Sequence, residues 1–172
     1  MTLRTVTHAP IIVSALFDAE DFQWLDGLRR AHFPAERNHI GAHLTLFHHL
    51  PPSVEGELKQ RLAALTRRGR PRATATGLLN LGKGVAVRIE SPDLSEIRDE
   101  LADAFSFLLT PQDAVRWRPH VTIQNKVQPL VARRLYEGLG ATFTSRAVKI
   151  SGLAAWWYRD GPWEVLASYS FR

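Results

Sequence analysis

Two short stretches of the sequence hold the residues best suited to chemistry. The stretches "AHLTLFHHL" (42–50) and "PHVTIQNKV" (119–127) each contain a histidine, an apolar residue, a threonine and a second apolar residue, in that order. The two motif histidines are 77 positions apart. With the composition of this chain, chance would place roughly 0.1 such tetrapeptides in it, so two copies indicate a functional pair.

The spacing within each motif places the histidine beside the threonine. In a β-strand, alternate side chains point to the same face. His43 therefore shares a face with Thr45, and the apolar residue between them can be buried in the core. His120 and Thr122 are related in the same way. Each strand can thus bury one face and present a His/Thr face to a cleft.

Two imidazoles and two hydroxyls suit the cleavage of a phosphodiester. Histidine titrates near neutral pH, so one ring can be the general base for the attacking oxygen while the other is the general acid for the leaving oxygen. Threonine hydroxyls can donate hydrogen bonds to the non-bridging oxygens. We therefore predict that His43 and His120 are catalytic and that Thr45 and Thr122 bind phosphate, with no metal and no cofactor. The sequence leaves open which histidine is the base.

The motifs must be positioned by a mixture of strands and helices. Apolar and β-branched runs predict strands at 9–18, 40–49, 72–82, 84–90, 117–127, 142–150, 152–160 and 163–171. Helical spacing of apolar residues predicts helices at 19–33, 54–68, 91–109 and 128–140, with caps at Ser53 and Ser91. This order predicts an α+β fold with antiparallel pairing, and Asp160-Gly161 predicts a hairpin between the last two strands.

The composition is that of a single soluble domain spanning residues 1–172. Hydrophobic residues make up 45% of the chain and charged residues 23%, and cysteine is absent, which excludes disulfides and thiolate chemistry. The apolar run "APIIVSALF" is too short for a membrane span and lacks the features of a signal peptide. We therefore expect a cytoplasmic monomer with no membrane association. The net charge of +5 favours an anionic partner such as RNA or a nucleotide.

The motifs "HLTL" and "HVTI" resemble those of the two-histidine (2H) phosphoesterase superfamily, which includes the bacterial 2′-5′ RNA ligase and cyclic phosphodiesterase proteins. The resemblance implies a bilobal fold, in which two pseudo-symmetric lobes each carry an antiparallel sheet flanked by helices and enclose a cleft. It implies that His43 and His120 form the acid–base pair. It also implies that Thr45 and Thr122 hold the phosphate.

The resemblance further implies a substrate class. Members act on an RNA end or a cyclic nucleotide that carries a 2′,3′-cyclic phosphate or a 2′-5′ linkage, and the reverse reaction is a 2′-5′ ligation by the same residues. Many relatives continue the first motif with a leucine-glycine pair. This chain instead has "FHHL" followed by Pro51 and Pro52, so we expect the segment beside His43, and the substrate with it, to differ.

Two other functions fit parts of the same pattern. A non-catalytic RNA- or nucleotide-binding module would use the same basic cleft. The bases of the bound RNA could stack on aromatic residues near the C-terminus, namely Trp156, Trp157, Tyr158 and Trp163. Alternation along the hairpin buries at least some of these rings, so we expect them to pack in the core. A histidine metalloenzyme would use His48 or His49, but adjacent strand residues point to opposite faces, so at most one of them can join His43.

Four further residues lie close to the motifs. Phe47 and Gln124 share the faces of the motif histidines if the strands are regular, and either could then contact a base or ribose. For Phe47 we predict packing in the core instead. Arg118 and Lys126 flank the second motif, where they either steer an anionic substrate or are ordinary surface charges.

Overall fold

The computed structural model describes residues 9–172, and within them every strand pairing is antiparallel. The strands are β1 (Ile11–Phe17), β2 (Leu44–Leu50), β3 (Arg72–Asn80), β4 (Val85–Glu90), β5 (His120–Gln124), β6 (Arg146–Trp157) and β7 (Glu164–Ser170). The helices are α1 (Ala19–His32), α2 (Glu55–Leu65), α3 (Pro92–Ala104), α4 (Pro111–Ala114) and α5 (Pro129–Gly140). The predicted α+β class with antiparallel pairing is confirmed.

Strand β6 joins two parts of a seven-stranded sheet. The strand order is β2-β1-β6-β3-β4-β5, and β7 also pairs with β6. Residues 146–149 of β6 pair with β3, whereas the later residues pair with β1 and β7. The predicted hairpin at Asp160-Gly161 is confirmed, because it connects β6 to β7. The two motif strands, β2 and β5, lie at opposite ends of the strand order.

The prediction of separate strands at 142–150 and 152–160 is wrong, because one strand, Arg146–Trp157, runs through both ranges. Gly152 gives the physical reason. A glycine in an apolar run can mark a strand end, but a Cβ atom on Gly152 would lie 2.4 Å from the carbonyl oxygen of Tyr169. The glycine therefore allows β7 to approach β6 closely without ending β6.

The helices pack on the sheet, and two of them also contact the motif strands, α1 on β5 and α4 on β2. Helix α1 packs against β1 and β5, α2 against β6 and β7, and α5 against β3 and β4. The backbone N–H of Leu94 donates to Ser91 Oγ at 3.1 Å, which confirms the predicted cap of α3. The predicted cap at Ser53 is wrong, because Ser53 lies in a 3-10 turn ahead of α2 and its side chain caps nothing. Within residues 9–172, no helix has the length and apolarity needed to cross a bilayer.

Candidate active site

The two motif strands approach each other and are held by side chains from elsewhere in the chain. Trp117, in the segment that leads into β5, donates its Nε1 proton to the backbone oxygen of Thr45 at 3.0 Å. Arg29, on α1, donates from Nη1 to the backbone oxygen of Thr122 at 2.9 Å. Each motif strand is thus fixed by a residue that is remote from it in the sequence. The two ends of the strand order are thereby brought together.

The two motif histidines make the same hydrogen bond. His43 Nδ1 lies 2.8 Å from the backbone oxygen of Gly41, and His120 Nδ1 lies 2.6 Å from that of Arg118. A carbonyl oxygen can only accept, so Nδ1 must carry the proton in both rings. Nε2 is then the ring nitrogen left to exchange a proton with a substrate.

One cavity of about 220 Å³ is lined by all four predicted site residues: His43, Thr45, His120 and Thr122. These four side chains are half-buried. The residues that alternate with them are buried in the core: Leu44, Leu46, Val121 and Ile123. The structure therefore brings the four polar residues together, and the apolar faces of the strands hold them in place.

The first motif strand contains a bulge directly after its threonine. Thr45 pairs with Ser14, and the next pairing joins Phe47 to Val13, so Leu46 is an extra residue in β2. A second irregularity follows before Leu50 pairs with Ile11. The segment beside His43, which we expected to differ from relatives, is therefore an irregular continuation of the strand.

The second motif strand contains a bulge at the equivalent position. Thr122 pairs with Ala86, and the next pairing joins Gln124 to Val85, so Ile123 is the extra residue in β5. Both motif strands thus change direction one residue after the threonine.

The two bulges decide where Phe47 and Gln124 point. In regular strands both would share the faces of the motif histidines, but an extra residue reverses the alternation after it. Phe47 is 0% exposed and Gln124 is 4% exposed, and neither lines the cavity. The prediction that Phe47 packs in the core is confirmed.

Burial controls the protonation of His43. The ring packs edge-to-face against Trp163, with ring centroids 4.6 Å apart. Burial is the main reason that the pKa of His43 falls from 6.5 to about 4. Positive charge at Arg29, His48 and His120 contributes in the same direction, and the backbone hydrogen bond of the ring opposes the shift. His43 is consequently neutral near pH 7.

The aromatic residues near the C-terminus do not act as one group. Trp156 donates its Nε1 proton to Ser14 Oγ at 2.8 Å, and with Trp163 it lines a second cavity of about 460 Å³ beside His43. Trp157 instead packs against the hydrophobic core. Only part of the aromatic cluster is therefore available to a ligand at the site.

A third cavity, of about 600 Å³, adjoins the motif residues on another side. His43 and Thr122 line it together with Tyr158, Arg37 and Lys126. Lys126, which flanks the second motif, thus contributes positive charge to this cavity.

A buried carboxylate, missed by sequence reasoning, holds the strand beyond the first motif. Asp113 is 1% exposed and lies on the one-turn helix α4, in a segment for which neither a strand nor a helix was predicted. Its carboxylate accepts the backbone N–H of His48 at 2.9 Å and that of His49 at 2.9 Å. Its Oδ1 also lies 3.0 Å from His48 Nδ1. Arg98 donates to the backbone oxygens of Asp113 and Leu46 at 2.6 and 3.2 Å.

The hydrogen bonds keep Asp113 ionised in spite of its burial. Burial alone would raise its pKa, but the bonds from the His48 ring and from the two backbone N–H groups outweigh burial and hold the pKa below the usual value. Since 65 positions separate Asp113 from His48, no local pattern in the sequence could have indicated this contact.

The histidines after the first motif are not arranged as metal ligands. Among residues 9–172, no three His, Asp or Glu side chains are grouped so that they could hold a metal ion. His48 binds Asp113 through Nδ1, and His49 does not line the cavity of the motif histidines.

An antiparallel α/β fold with two His/Thr strands that meet at one cavity is the architecture of a two-histidine phosphoesterase. The model of the 2′-5′ RNA ligase superfamily matches residues 17–162. The chain belongs to that superfamily, and the resemblance inferred from "HLTL" and "HVTI" is confirmed.

Solved structures share the fold over almost the full length of the chain. TT0787 of Thermus thermophilus is 15% identical, with a TM-score of 0.68, and the match covers 95% of this chain and 98% of that one. E. coli LigT complexed with 3′-AMP is 19% identical, with a TM-score of 0.58 and coverage of 96% and 99%. E. coli LigT complexed with ATP is 16% identical, with a TM-score of 0.61 and the same coverage. No curated protein sequence matches the chain.

Proposed function

We propose that this protein is a metal-independent phosphodiesterase that opens 2′,3′-cyclic phosphates, or cleaves 2′-5′ linkages, at an RNA end or in a nucleotide. The observation that carries the proposal is the matched pair of imidazoles. His43 and His120 enter one cavity with Nδ1 occupied by a backbone carbonyl and Nε2 free. Hydrolysis of a phosphodiester requires one proton acceptor and one proton donor at a single phosphorus, and this pair can supply both.

The low pKa of His43 supports one assignment of roles in the direction of hydrolysis. A ring with a pKa of about 4 is neutral near pH 7, so His43 Nε2 is suited to accept the proton of an attacking water. The water oxygen bonds to phosphorus as the bond from phosphorus to the 2′ or 3′ oxygen breaks. His120 Nε2 then gives a proton to the departing ribose oxygen. In a 2′-5′ ligation, a 5′-hydroxyl replaces water as the nucleophile on the cyclic phosphate and the bond to the 3′ oxygen breaks, so the two histidines keep these roles. They exchange roles when the neighbouring 3′-hydroxyl attacks a 2′-5′ linkage, which re-forms the cyclic phosphate and releases the 5′-hydroxyl.

Thr45 and Thr122 are proposed to hold the phosphate during this displacement. Their side chains line the cavity with the two imidazoles, and a hydroxyl can donate to a non-bridging oxygen. Donors fixed where charge is concentrated in the transition state lower the barrier without reorganisation. The hydrogen bonds from Trp117 and Arg29 to the backbone oxygens of the two threonines hold the two strands in position around the phosphate.

A nucleotide ligand agrees with the surroundings of the site. E. coli LigT, which has the same fold, was solved with 3′-AMP bound. In this chain the adjoining cavities provide Trp156 and Trp163 on one side and Tyr158 on another, and aromatic rings can stack on bases. The net charge of +5 favours approach of an anionic substrate. We propose that the protein acts as a monomer, because both halves of the site come from one chain.

The test is a substrate screen in the presence of EDTA. The panel contains 2′,3′-cyclic mononucleotides, 2′-5′ dinucleotides and RNA with a 2′,3′-cyclic phosphate end. We expect turnover of at least one class, at a rate that EDTA does not change. Tight, salt-dependent binding with no product would instead identify a non-catalytic RNA-binding module. Loss of turnover in EDTA, restored by a divalent cation, would identify a metalloenzyme.

A further inference from the structure

A third histidine lines the cavity of the motif residues. His48 follows the bulge of β2 and shares the cavity with His43, Thr45 and His120. His48 lies three positions after Thr45 with the bulge residue Leu46 between them, and both side chains line the same cavity. His48 thus lines the cavity in which Thr45 would hold a phosphate.

The orientation of the His48 ring is fixed by buried groups. Asp113 is 1% exposed and bonds both the ring Nδ1 and the backbone N–H of His48. Arg98, 6% exposed, donates to the backbone oxygens of Leu46 and Asp113 and so ties α4 to the bulge. With Nδ1 held by Asp113, Nε2 is the ring atom left for a ligand. In its protonated form the ring donates from both nitrogens, so Nε2–H can bond a phosphate oxygen.

Three basic residues of the cavity lining, namely His48 and two arginines, are together called the positive wall. Arg116 and Arg118 line the cavity with His48. Among residues 9–172, neither arginine forms an ion pair with a carboxylate, although nine other ion pairs are present. Of the residues that the structure describes, Asp113 is the one carboxylate that lines this cavity, and its oxygens are directed to donors of His48 and His49. The wall therefore offers donors and positive charge to an anion.

We propose that His48, Arg116 and Arg118 form a second phosphate subsite, which selects substrates that carry a phosphate on the 5′ oxygen of the nucleoside whose 2′,3′-cyclic phosphate is opened. The inference rests on the proposed function and narrows its substrate class from cyclic mononucleotides to substrates with two phosphate groups. The second phosphate can be the internucleotide linkage of an RNA end or a terminal 5′-monophosphate. Both sources present the same anionic oxygens to the wall.

The catalytic test compares matched substrates that differ only in the second phosphate. The first pair is adenosine 2′,3′-cyclic phosphate with a 5′-hydroxyl or with a 5′-phosphate. The second pair is an adenosine dinucleotide with a 2′,3′-cyclic phosphate end, joined by a phosphodiester or by a neutral methylphosphonate. We expect the charged member of at least one pair to have a kcat/KM about tenfold higher, as charge-assisted hydrogen bonds would give. If the charged member has the higher kcat/KM in the dinucleotide pair alone, the second phosphate is the internucleotide linkage of RNA. If it has the higher kcat/KM in both pairs, the subsite accepts the linkage and a terminal 5′-phosphate alike. Equal kcat/KM within both pairs overturns the subsite.

The variants separate the subsite from unrelated effects. We expect two variants, His48→Gln and the double variant R116Q/R118Q, to lose the preference for the charged substrate. In each, kcat/KM for the charged substrate divided by kcat/KM for the neutral one should fall to nearly one. His49→Gln is the matched control for the first, because its side chain does not line the cavity. Arg133→Gln, on the exposed face of α5, is the control for the arginines. An unchanged ratio in both His48→Gln and the double variant would overturn the assignment of these residues.

An equilibrium measurement keeps this inference distinct from the proposed function. Dissociation constants are compared for 3′-AMP and adenosine 3′,5′-bisphosphate, neither of which must be turned over. We expect the parent protein to bind the bisphosphate about tenfold more tightly than 3′-AMP. The His48→Gln variant should bind the two ligands with equal dissociation constants. If no cyclic substrate is cleaved while this difference is present, the proposed function fails and the subsite stands. If cleavage occurs and the two ligands bind equally, the subsite is overturned and the function stands.

Discussion

His43 and His120 each donate a hydrogen bond from Nδ1 to the backbone carbonyl oxygen two positions earlier, at 2.8 and 2.6 Å. The equivalence extends to the strands, because a bulge follows Thr45 in β2 and Thr122 in β5. Two segments 77 positions apart therefore have similar local geometry and line one cavity. The surroundings of the two rings nevertheless differ, since Trp163 packs on His43. That difference is the basis on which we propose separate roles for the two side chains.

Replacing either motif threonine by valine is expected to slow turnover while preserving the fold. Thr45→Val and Thr122→Val keep the shape of the side chain and remove the hydroxyl donor. Loss of one donor to developing charge typically costs about 10²- to 10³-fold in kcat. Thr144→Val, at an exposed position outside the site, is the matched control. Normal kcat in both motif variants would show that the hydroxyls do not act on the transition state.

The acid limb of kcat/KM is expected at about pH 4 instead of near 6.5. If neutral His43 is the base in hydrolysis, activity is full above its pKa of about 4 and falls as the pH drops through that value. Trp163→Ala should move this limb to higher pH, because the ring becomes more exposed to water. If His43 were the acid instead, kcat/KM would fall as the pH rises above 4. The full profile from pH 3 to 9 distinguishes the two assignments.

The same pKa predicts a pH dependence of stability. The unfolded chain binds a proton at His43 below about pH 6.5, whereas the folded protein does so only below about 4. Stability from neutral His43 is therefore present above pH 6.5 and is lost as the pH falls towards 4. Between pH 7 and 5 the parent should lose about 2 kcal/mol of unfolding free energy more than His43→Asn. Urea unfolding of both proteins at the two pH values checks this. Equal losses would show that His43 is not shifted.

Gly84→Ala is expected to weaken both stability and activity. A Cβ atom at Gly84 would lie 2.0 Å from the backbone oxygen of Gln124, so β5 would have to shift and would carry His120 with it. Overpacking of this kind typically costs about 1–3 kcal/mol. Gly138→Ala is the control, because its Cβ would meet nothing within 4 Å. Urea unfolding and kcat/KM are measured for both variants, and a Gly84→Ala protein that matches the control in both would contradict the prediction.

The residues of the candidate site could be predicted because their signal is local and repeated. Alternation along a strand places His43 beside Thr45, and the second copy of the pattern points to a partner strand. The strand boundaries are harder to predict at a glycine, because a glycine can either end a strand or allow a neighbouring strand to approach closely. Gly152 is typical of a strand end, but here it serves the close approach of β7.

The remaining features depend on contacts that alternation does not encode. The bulges at Leu46 and Ile123 turn Phe47 and Gln124 away from the cavity, and nothing in the motif marks them. Asp113 reaches His48 across 65 positions, so only the folded chain shows that His48 lines the cavity.

The most direct test of the two-histidine mechanism is the kcat/KM of the parent and its histidine variants on an RNA with a 2′,3′-cyclic phosphate end, in EDTA. The variants are His43→Ala, His120→Ala and the double variant, with His49→Ala as the control. Each single variant should lose about 10²- to 10⁴-fold. The double variant should lose little more than either single one, because two groups that act on one phosphorus act as a unit. Near-parental turnover in either single variant would contradict the mechanism.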